Sequence, residues 1–191
     1  KVNLSDYQGI LTTIWLGTLN NDAQLEKMEN GETNGGYRII GDPTEGALVV
    51  AAEKAGAYQV TLNKGYPRAQ EVPFDSVRKR MITIHVINQP EPEDISPFVD
   101  QNNQRKYVIA VKGAPDIVMN LCTSYQTIDD FQMTMDESAK AKIHTANDEM
   151  TKDALRVLGV AYRVVDEIPD VSELDELEKD LIFVGLLGMI D

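Results

Sequence analysis

The chain has 191 residues, which suits one domain with a sizeable core, and its 42% hydrophobic and 26% charged residues are ordinary for a soluble globular fold. Its net charge of −13 argues against nucleic acid or an anionic membrane as a partner, and any anionic ligand would need a local basic cluster. The single cysteine, Cys122, excludes an internal disulfide and predicts a small buried side chain in a reducing compartment.

Hydrophobic periodicity and turn residues predict helices and strands along most of the chain. In order, the predicted elements are a helix (6–19), a polar loop (20–36), a strand (37–40), helices (42–55 and 58–65), strands (69–73 and 79–88), a Pro-rich loop (89–103), a strand (106–111), helices (114–121 and 136–152), a strand (155–165), a short acidic helix (171–180) and a buried strand (181–190). Because hairpin-like strand pairs dominate, we expect an α+β fold with a mostly antiparallel twisted sheet flanked by helices.

The helix over residues 42–55 carries the clearest end signals. Asp42 is a typical N-cap, Pro43 occupies the first helical position, and Gly56 ends the helix. Glu45 lies three residues after Asp42, where its carboxylate can complete a capping box with the backbone N–H of the N-cap residue.

Four separated motifs are the strongest indications of chemistry. They are GDPTEGAL (41–48), PFDSVRKRM (73–81), VKGAPD (111–116) and LRVLGVA (155–161). The first has the glycine spacing of a phosphate-binding P-loop but lacks the Lys-Ser/Thr that would follow. In this order the motifs resemble the nucleotide-binding domain of P-type ATPases, closest to the calcium pumps and their bacterial relatives. The final segment FVGLLGMID (183–191) is similar to the family's return strand into the phosphorylation domain.

The resemblance implies that residues 1–191 form a single nucleotide-binding domain, cut from a larger cation pump and continuing at both ends into the phosphorylation domain. It implies ATP as ligand, with Mg²⁺ accompanying the nucleotide and not held by this domain alone. The expected partners are the phosphorylation and actuator domains of the same pump. We expect a monomeric cytoplasmic domain of an integral membrane protein, with no contact to nucleic acid or membrane; calcium is the nearest match for the ion.

The resemblance also assigns roles to residues that match the family motifs. Phe74 would stack on adenine, although the residues alone favour an aromatic packed on the core at a strand end. Lys112 would line the adenine pocket and reach toward the phosphates; without the resemblance, a solvated lysine at a strand end is favoured. Gly113 would allow close approach of the base, because glycine has no side chain there.

Three further positions complete the predicted site. Glu45 would bind the adenine amino group, in competition with its role in the capping box. Arg156 would pair with the phosphates. By strand alternation, Lys79 should face the nucleotide and Arg78 should lie nearer solvent. Ser76 stands where many calcium pumps have arginine, which removes one phosphate contact.

No catalytic residue or metal site is predicted. The 191 residues do not contain the Asp-Lys-Thr-Gly motif that carries the phosphorylated aspartate in this family, so the fragment should bind ATP without completing hydrolysis. The acidic stretch 166–180 lacks a calcium-loop pattern and is interpreted as a solvated or partner-facing surface. The alternatives are an interaction or regulatory module that has lost nucleotide binding, which Ser76 would favour, and a different small hydrolase, for which no constellation is found.

Overall fold

The computed structural model describes residues 7–28, 36–88, 97–98 and 106–190. The helices are α1 (Gln8–Leu19), α2 (Pro43–Ala55), α3 (Gln59–Gly65), α4 (Pro115–Asn120), α5 (Glu137–Lys152) and α6 (Leu174–Leu177). The strands are β1 (Gln24–Lys27), β2 (Tyr37–Ile40), β3 (Arg68–Asp75), β4 (Arg80–Val86), β5 (Tyr107–Gly113), β6 (Cys122–Gln126), β7 (Gln132–Thr134), β8 (Arg156–Val165) and β9 (Leu181–Met189). Among the described residues, no helix is long and apolar enough to span a bilayer.

Seven strands form one sheet in the order β3-β4-β5-β8-β9-β6-β7, and β1 pairs with β2 in a separate two-stranded sheet. Within the large sheet β6 and β9 pair in parallel, whereas all other neighbouring strands pair antiparallel. The prediction of an α+β fold with a mostly antiparallel sheet flanked by helices is therefore confirmed.

The central strand β5 contributes to two hydrophobic cores, one on each face of the sheet. Ile109 and Val111 belong to the core that also contains side chains of α4, α5 and α6. Val108 and Ala110 belong to the core that contains side chains of α1, α2 and α3. This division follows from strand geometry, because successive side chains point to opposite faces. It also explains why β5 is apolar from residue 107 to residue 111 rather than alternating.

The ends of α2 form as the sequence predicts. The Asp42 carboxylate accepts hydrogen bonds from the backbone N–H groups of Thr44 and Glu45 at 2.8 and 3.3 Å, so it is the N-cap. Gly56 takes the left-handed conformation with φ of 85°, which glycine adopts without steric cost. The Asp42 cap fixes the position of the first helical turn, which carries Glu45, and Gly56 ends the helix.

Three segments differ from the prediction. Strand β1 lies inside the predicted loop 20–36, pairing Gln24 with Ile40; its side chains are mostly exposed, so it shows no apolar alternation. Strands β6 and β7 lie where the sequence analysis predicts nothing. In β6 the inward side chains are Cys122, Ser124 and Gln126, and two polar residues on the buried face conceal the strand pattern.

Other boundaries move by a few residues. Strand β5 continues past the predicted end at residue 111 to Gly113, and α6 is a single turn rather than a helix over 171–180. The prediction that Cys122 is a small buried side chain is confirmed: its thiol donates to the carbonyl of Val118, and burial raises its pKa to about 12. The predicted loop 89–103 lies outside the described residues except for residues 97–98.

Candidate functional site

One open cavity of about 510 Å³ is lined by all six residues that the sequence analysis selects. Glu45 comes from the first turn of α2, Phe74 from β3, Lys112 and Gly113 from the end of β5, Arg156 from the start of β8, and Lys79 from the turn between β3 and β4. The volume is within the range of about 300–1,000 Å³ that is typical of small-ligand sites. The four sequence motifs therefore converge on one place in the fold.

Phe74 projects into this cavity from the edge strand of the sheet. Its side chain is 61% exposed, so it is not an aromatic packed on the core, which was the alternative interpretation of the sequence. The exposed ring is available to stack on a ligand in the cavity, because burying such a ring is favourable.

The β3–β4 connection, residues 76–79, is a tight turn rather than the start of a strand. The Asp75 carboxylate accepts hydrogen bonds from the backbone N–H groups of Val77 and Arg78 at 2.9 and 2.7 Å, and its carbonyl accepts from Lys79 N at 2.7 Å. The bond from Arg78 N–H is the main reason why the pKa of Asp75 is lowered. Lys79 adopts a positive φ of 56° in this turn.

The turn corrects the predicted orientation of Arg78. The sequence analysis places Arg78 nearer solvent than Lys79, but Lys79 is the exposed residue beside the cavity. The Arg78 guanidinium is mostly buried and lies 3.3 Å from the Glu178 carboxylate. Strand alternation fails here because residues 76–79 do not have strand geometry. Ser76, the departure from the family pattern, is exposed in the same turn.

Lys112 is a buried ammonium, not a solvated lysine at a strand end. It is 5% exposed, and its Nζ lies 2.7 Å from Oε1 of Glu45. Burial lowers the pKa of Lys112, and the Glu45 carboxylate acts in the opposite direction. The contact holds the Lys112 side chain against Glu45 in the lining of the cavity.

Glu45 does not form the predicted capping box. Its Oε2 accepts a hydrogen bond from the backbone N–H of Asp22 at 3.0 Å, while Oε1 accepts from Lys112. Its backbone carbonyl accepts from the Asn21 amide at 2.9 Å. The carboxylate is thus held against the cavity by a segment that the sequence analysis treats as a plain loop, and Asp42 caps α2 without its help.

Gly113 is required by the packing of its own sheet. A Cβ at this position would clash with the carbonyl oxygen of Lys79 and would lie 2.6 Å from the Cβ of Arg80. The space that glycine leaves is filled by the neighbouring strand β4. Close approach of a base to Gly113 stays a prediction, but the structure gives this glycine an independent reason.

Arg156 lines the cavity beside the first turn of α2. Its guanidinium donates a hydrogen bond to the hydroxyl of Thr44 at 2.9 Å. The pKa of Asp42 is lowered: burial acts to raise it, but hydrogen bonds from Thr44 and Glu45 and the charge of Arg156 outweigh that effect. Arg156 and Lys79, which line the same cavity, are cations that favour an anionic group there.

The cavity is also lined by residues that are not among the six selected from the sequence, including Asp22, Thr44 and Met81. Thr44 lies inside the GDPTEGAL motif, and its neighbours Asp42 and Glu45 could have drawn attention to it. Asp22 gives no signal in the sequence, since it lies 23 residues before Glu45 in a polar segment. Among the described residues there is no group of three or more His, Cys, Asp or Glu side chains that could hold a metal ion.

The chain matches the family model described as P-type ATPase, cytoplasmic domain N, over residues 10–191. It is 30% identical over 191 residues to a calcium-transporting ATPase of Bacillus subtilis, covering 100% of this chain and 19% of that protein. It is 34% identical over 175 residues to the cation-transporting ATPase pma1 of Synechocystis, covering 92% of this chain and 17% of that protein. It is also 29% identical over 160 residues to a rabbit potassium-transporting ATPase alpha chain 2, covering 80% of this chain and 13% of that protein. The chain thus spans less than a fifth of the length of these relatives.

Proposed function

Because this chain belongs to the family of P-type ATPase cytoplasmic N domains, within the calcium-pump branch, we propose that it binds ATP in the 510 Å³ cavity. The bound nucleotide would present its γ-phosphate to an aspartate in another part of the same protein. One observation carries this proposal: four separated motifs bring an exposed aromatic ring, two lysines and an arginine to a single cavity.

The cavity offers a base-binding end and an anion-binding end. Phe74 supplies an exposed ring for stacking on adenine, worth about 1–3 kcal/mol by comparison with other base–aromatic contacts. Lys112 and Glu45 supply a donor and an acceptor for the polar edge of the base, since both line the same cavity. Lys79 and Arg156 are then available for the phosphates, where arginine favours bidentate contacts.

These cations work against the overall charge of −13, so the site needs its local cluster. Mg²⁺ would arrive with the nucleotide rather than being held by this domain alone. The complete protein would be a cation-transporting ATPase, and we propose calcium as the transported ion because several relatives are calcium-transporting ATPases. The phosphorylation and actuator domains of the same pump are the proposed partners, and the isolated domain is proposed to be a monomer.

The isolated chain is proposed to be inactive as an ATPase. Phosphoryl transfer needs a nucleophile and a metal-supported charge clamp in line with the γ-phosphate. The 191 residues lack the Asp-Lys-Thr-Gly motif, and the cavity presents no other nucleophile beside a metal-ligand set among the described residues. The role left to the domain is delivery of the nucleotide, by a hinge movement toward the rest of the pump.

The test is a titration of the ¹⁵N-labelled chain with ATP, followed by backbone NMR shifts. Stacking and one or two charged hydrogen bonds, offset by the cost of association, predict a Kd in the high-micromolar to millimolar range, or about −4 to −6 kcal/mol. Shifts should concentrate at the end of β5 and at Phe74. No shifts at several millimolar ATP would favour a domain that keeps the fold but has lost binding. A colorimetric phosphate-release assay on the same sample should show no turnover.

A further inference from the structure

The acidic segment before β9 contains one carboxylate that is not solvated. Glu178, directly after α6, is 5% exposed, although the sequence analysis interprets residues 166–180 as a solvated or partner-facing surface. A buried carboxylate is costly unless it is paired and hydrogen-bonded. Its partners therefore indicate why it lies there.

Two arginines provide that pairing: Arg78 in the β3–β4 turn and Arg80 at the start of β4. Arg80 donates from Nε to Oε1 of Glu178 at 2.7 Å and from a terminal nitrogen to Oε2, so it holds both carboxylate oxygens. Arg78 lies 3.3 Å from Oε1. One carboxylate thus joins two guanidinium groups that are 98 and 100 residues distant in sequence, and both guanidinium groups are mostly buried.

The same two arginines fix the backbone of the turn. The Arg78 guanidinium donates to the carbonyl of Pro73 at 3.2 Å, and Arg80 donates to the carbonyl of Arg78 at 2.9 Å. Pro73 immediately precedes Phe74, and Lys79 lies between the two arginines. Glu178 therefore contacts both neighbours of Lys79 directly. It is linked to the neighbour of Phe74, Pro73, through Arg78.

Removal of the carboxylate would change the turn because two positive charges would then face each other in a poorly solvated place. Like charges in such surroundings repel strongly. The turn can relieve this by moving the Arg78 guanidinium to solvent, which gives up its bond to the Pro73 carbonyl. The rest of the fold keeps its two hydrophobic cores, since neither contains Arg78 or Arg80.

We propose that Glu178 is a positioning residue of the nucleotide site, which sets the β3–β4 turn, and with it Phe74 and Lys79, through Arg78 and Arg80. This rests on the proposed binding of ATP in the cavity. Glu178 does not line the cavity and touches no nucleotide; it acts through the two arginines. The contacts of Glu178 with the two arginines link the segment before β9 to β3 and β4, although β5 and β8 lie between β4 and β9 in the sheet.

The test compares Glu178→Gln with a matched control, Glu176→Gln. Glu176 is a neighbouring carboxylate of α6 whose side chain is half exposed and lies 3.9 Å from Lys179 on the surface. Two quantities are measured for each variant: the amide and ring signals of the turn without nucleotide, and the Kd for ATP. Glu178→Gln should shift or broaden the signals of Phe74 and residues 76–79 while those of residues 108–111 stay in place.

The Kd for ATP should rise about three- to tenfold in Glu178→Gln. This is less than the rise expected when the Phe74 ring is removed, because the ring is displaced but still present. Glu176→Gln should match the wild type in both measurements. An unchanged Kd with unchanged turn signals overturns the proposal. Signals that move throughout the strands, with a loss of affinity in proportion, also overturn it, because Glu178 would then be a general stability residue.

Arg78→Met keeps the proposal testable if Glu178→Gln does not fold. This change leaves the Arg80–Glu178 pair intact and removes only the bridge from Glu178 to the Pro73 carbonyl. It should raise the Kd by a similar factor; an unchanged Kd overturns the proposal. If the wild-type chain does not bind ATP at all, the proposed function fails, and the signals of the turn without nucleotide still decide whether Glu178 positions it.

Discussion

The Nζ of Lys112 lies 2.7 Å from Oε1 of Glu45, across 67 residues of sequence, and this contact joins the end of β5 to the first turn of α2. The contact places opposite charges at the base of the cavity before any nucleotide arrives. It also gives Glu45 a function that neither the helix-cap interpretation nor the adenine interpretation of the sequence contains.

Glu45→Gln should lower the free energy of unfolding by about 1–3 kcal/mol, because the buried Lys112 ammonium loses its counter-charge. The loss is less than that for a fully buried pair, since the charge of Asp22 also favours the ammonium. Urea denaturation at neutral pH measures the effect. Glu26→Gln, which breaks an exposed pair with Arg38, is the control and should cost much less; equal losses would contradict a special role for the Lys112 pair.

Phe74→Ala should weaken the binding of ATP, ADP and AMP by similar factors. Loss of the stacking contact with one base costs about 1–3 kcal/mol of binding free energy, which raises Kd about 5- to 150-fold. Because the ring is 61% exposed, the variant should fold as the wild type does. Phe131→Ala removes a comparably exposed ring that does not line the cavity, and it should leave all three affinities unchanged. A loss confined to ATP would mean that Phe74 does not stack on the base.

Arg156→Ala should weaken the binding of ATP more than the binding of adenosine, because the guanidinium lies beside Thr44 at the phosphate end of the proposed site. A charged hydrogen bond of this kind is worth about 1.5–3 kcal/mol, or about 10- to 150-fold in Kd. Arg38→Ala removes an exposed positive charge outside the cavity and serves as the charge-matched control. If adenosine and ATP lose affinity equally in Arg156→Ala, the arginine does not contact the phosphates.

Gly113→Ala should lower the free energy of unfolding by about 1–3 kcal/mol, in the range of overpacking substitutions. The added Cβ would meet the Lys79 carbonyl and the Arg80 backbone, and that carbonyl is fixed by a 3.0 Å hydrogen bond from Ala114 N. Gly65→Ala is the matched control, since nothing lies within 4 Å of a Cβ there and alanine favours a helix. The thermal unfolding midpoint should be lower for Gly113→Ala than for Gly65→Ala. Equal midpoints would show that β4 and β5 can move apart at Gly113 without a loss of stability.

Local signals predict the parts of this fold that local physics determines. Asp42, Pro43 and Gly56 fix α2 because a cap, a restricted φ and a left-handed residue act within a few positions. The apolar run of β5 predicts a central strand for the same reason. The motif residues could be selected from the sequence, but their meeting in one cavity depends on strand order, which short-range pattern does not contain.

Two of the failures, at Glu178 and at β6, follow from long-range contacts, and the failure at Arg78 follows from a local turn. Glu178 belongs to a stretch whose acidic composition suggests solvent, and only the arginines about 100 residues away make its burial favourable. Arg78 was assigned by strand alternation, which the tight turn after Asp75 interrupts. Strands β6 and β7 are short, and β6 carries polar side chains on its buried face, so pairing with β9 rather than composition makes β6 a strand.

His85 predicts a pH dependence of stability that is independent of the nucleotide. Its ring is buried on β4, with Nδ1 2.9 Å from the carbonyl oxygen of Tyr66 and Nε2 2.9 Å from the hydroxyl of Thr83. A carbonyl can only accept, so Nδ1 donates and Nε2 accepts from Thr83, which satisfies a neutral ring. Burial lowers the pKa of His85 from its ordinary value of 6.5 to about 4.

The unfolded chain therefore takes up a proton at His85 near pH 6.5, whereas the folded chain takes it up only near pH 4. Stability is full above pH 6.5 and falls as the pH falls toward 4, by about 2 kcal/mol between pH 7 and pH 5 from this group. Urea unfolding at both pH values should show this loss in the wild type and in His144→Gln, whose histidine is exposed on α5. In His85→Gln the loss should be smaller by about 2 kcal/mol. Equal losses in all three proteins would mean that the folded chain protonates His85 as readily as the unfolded chain does.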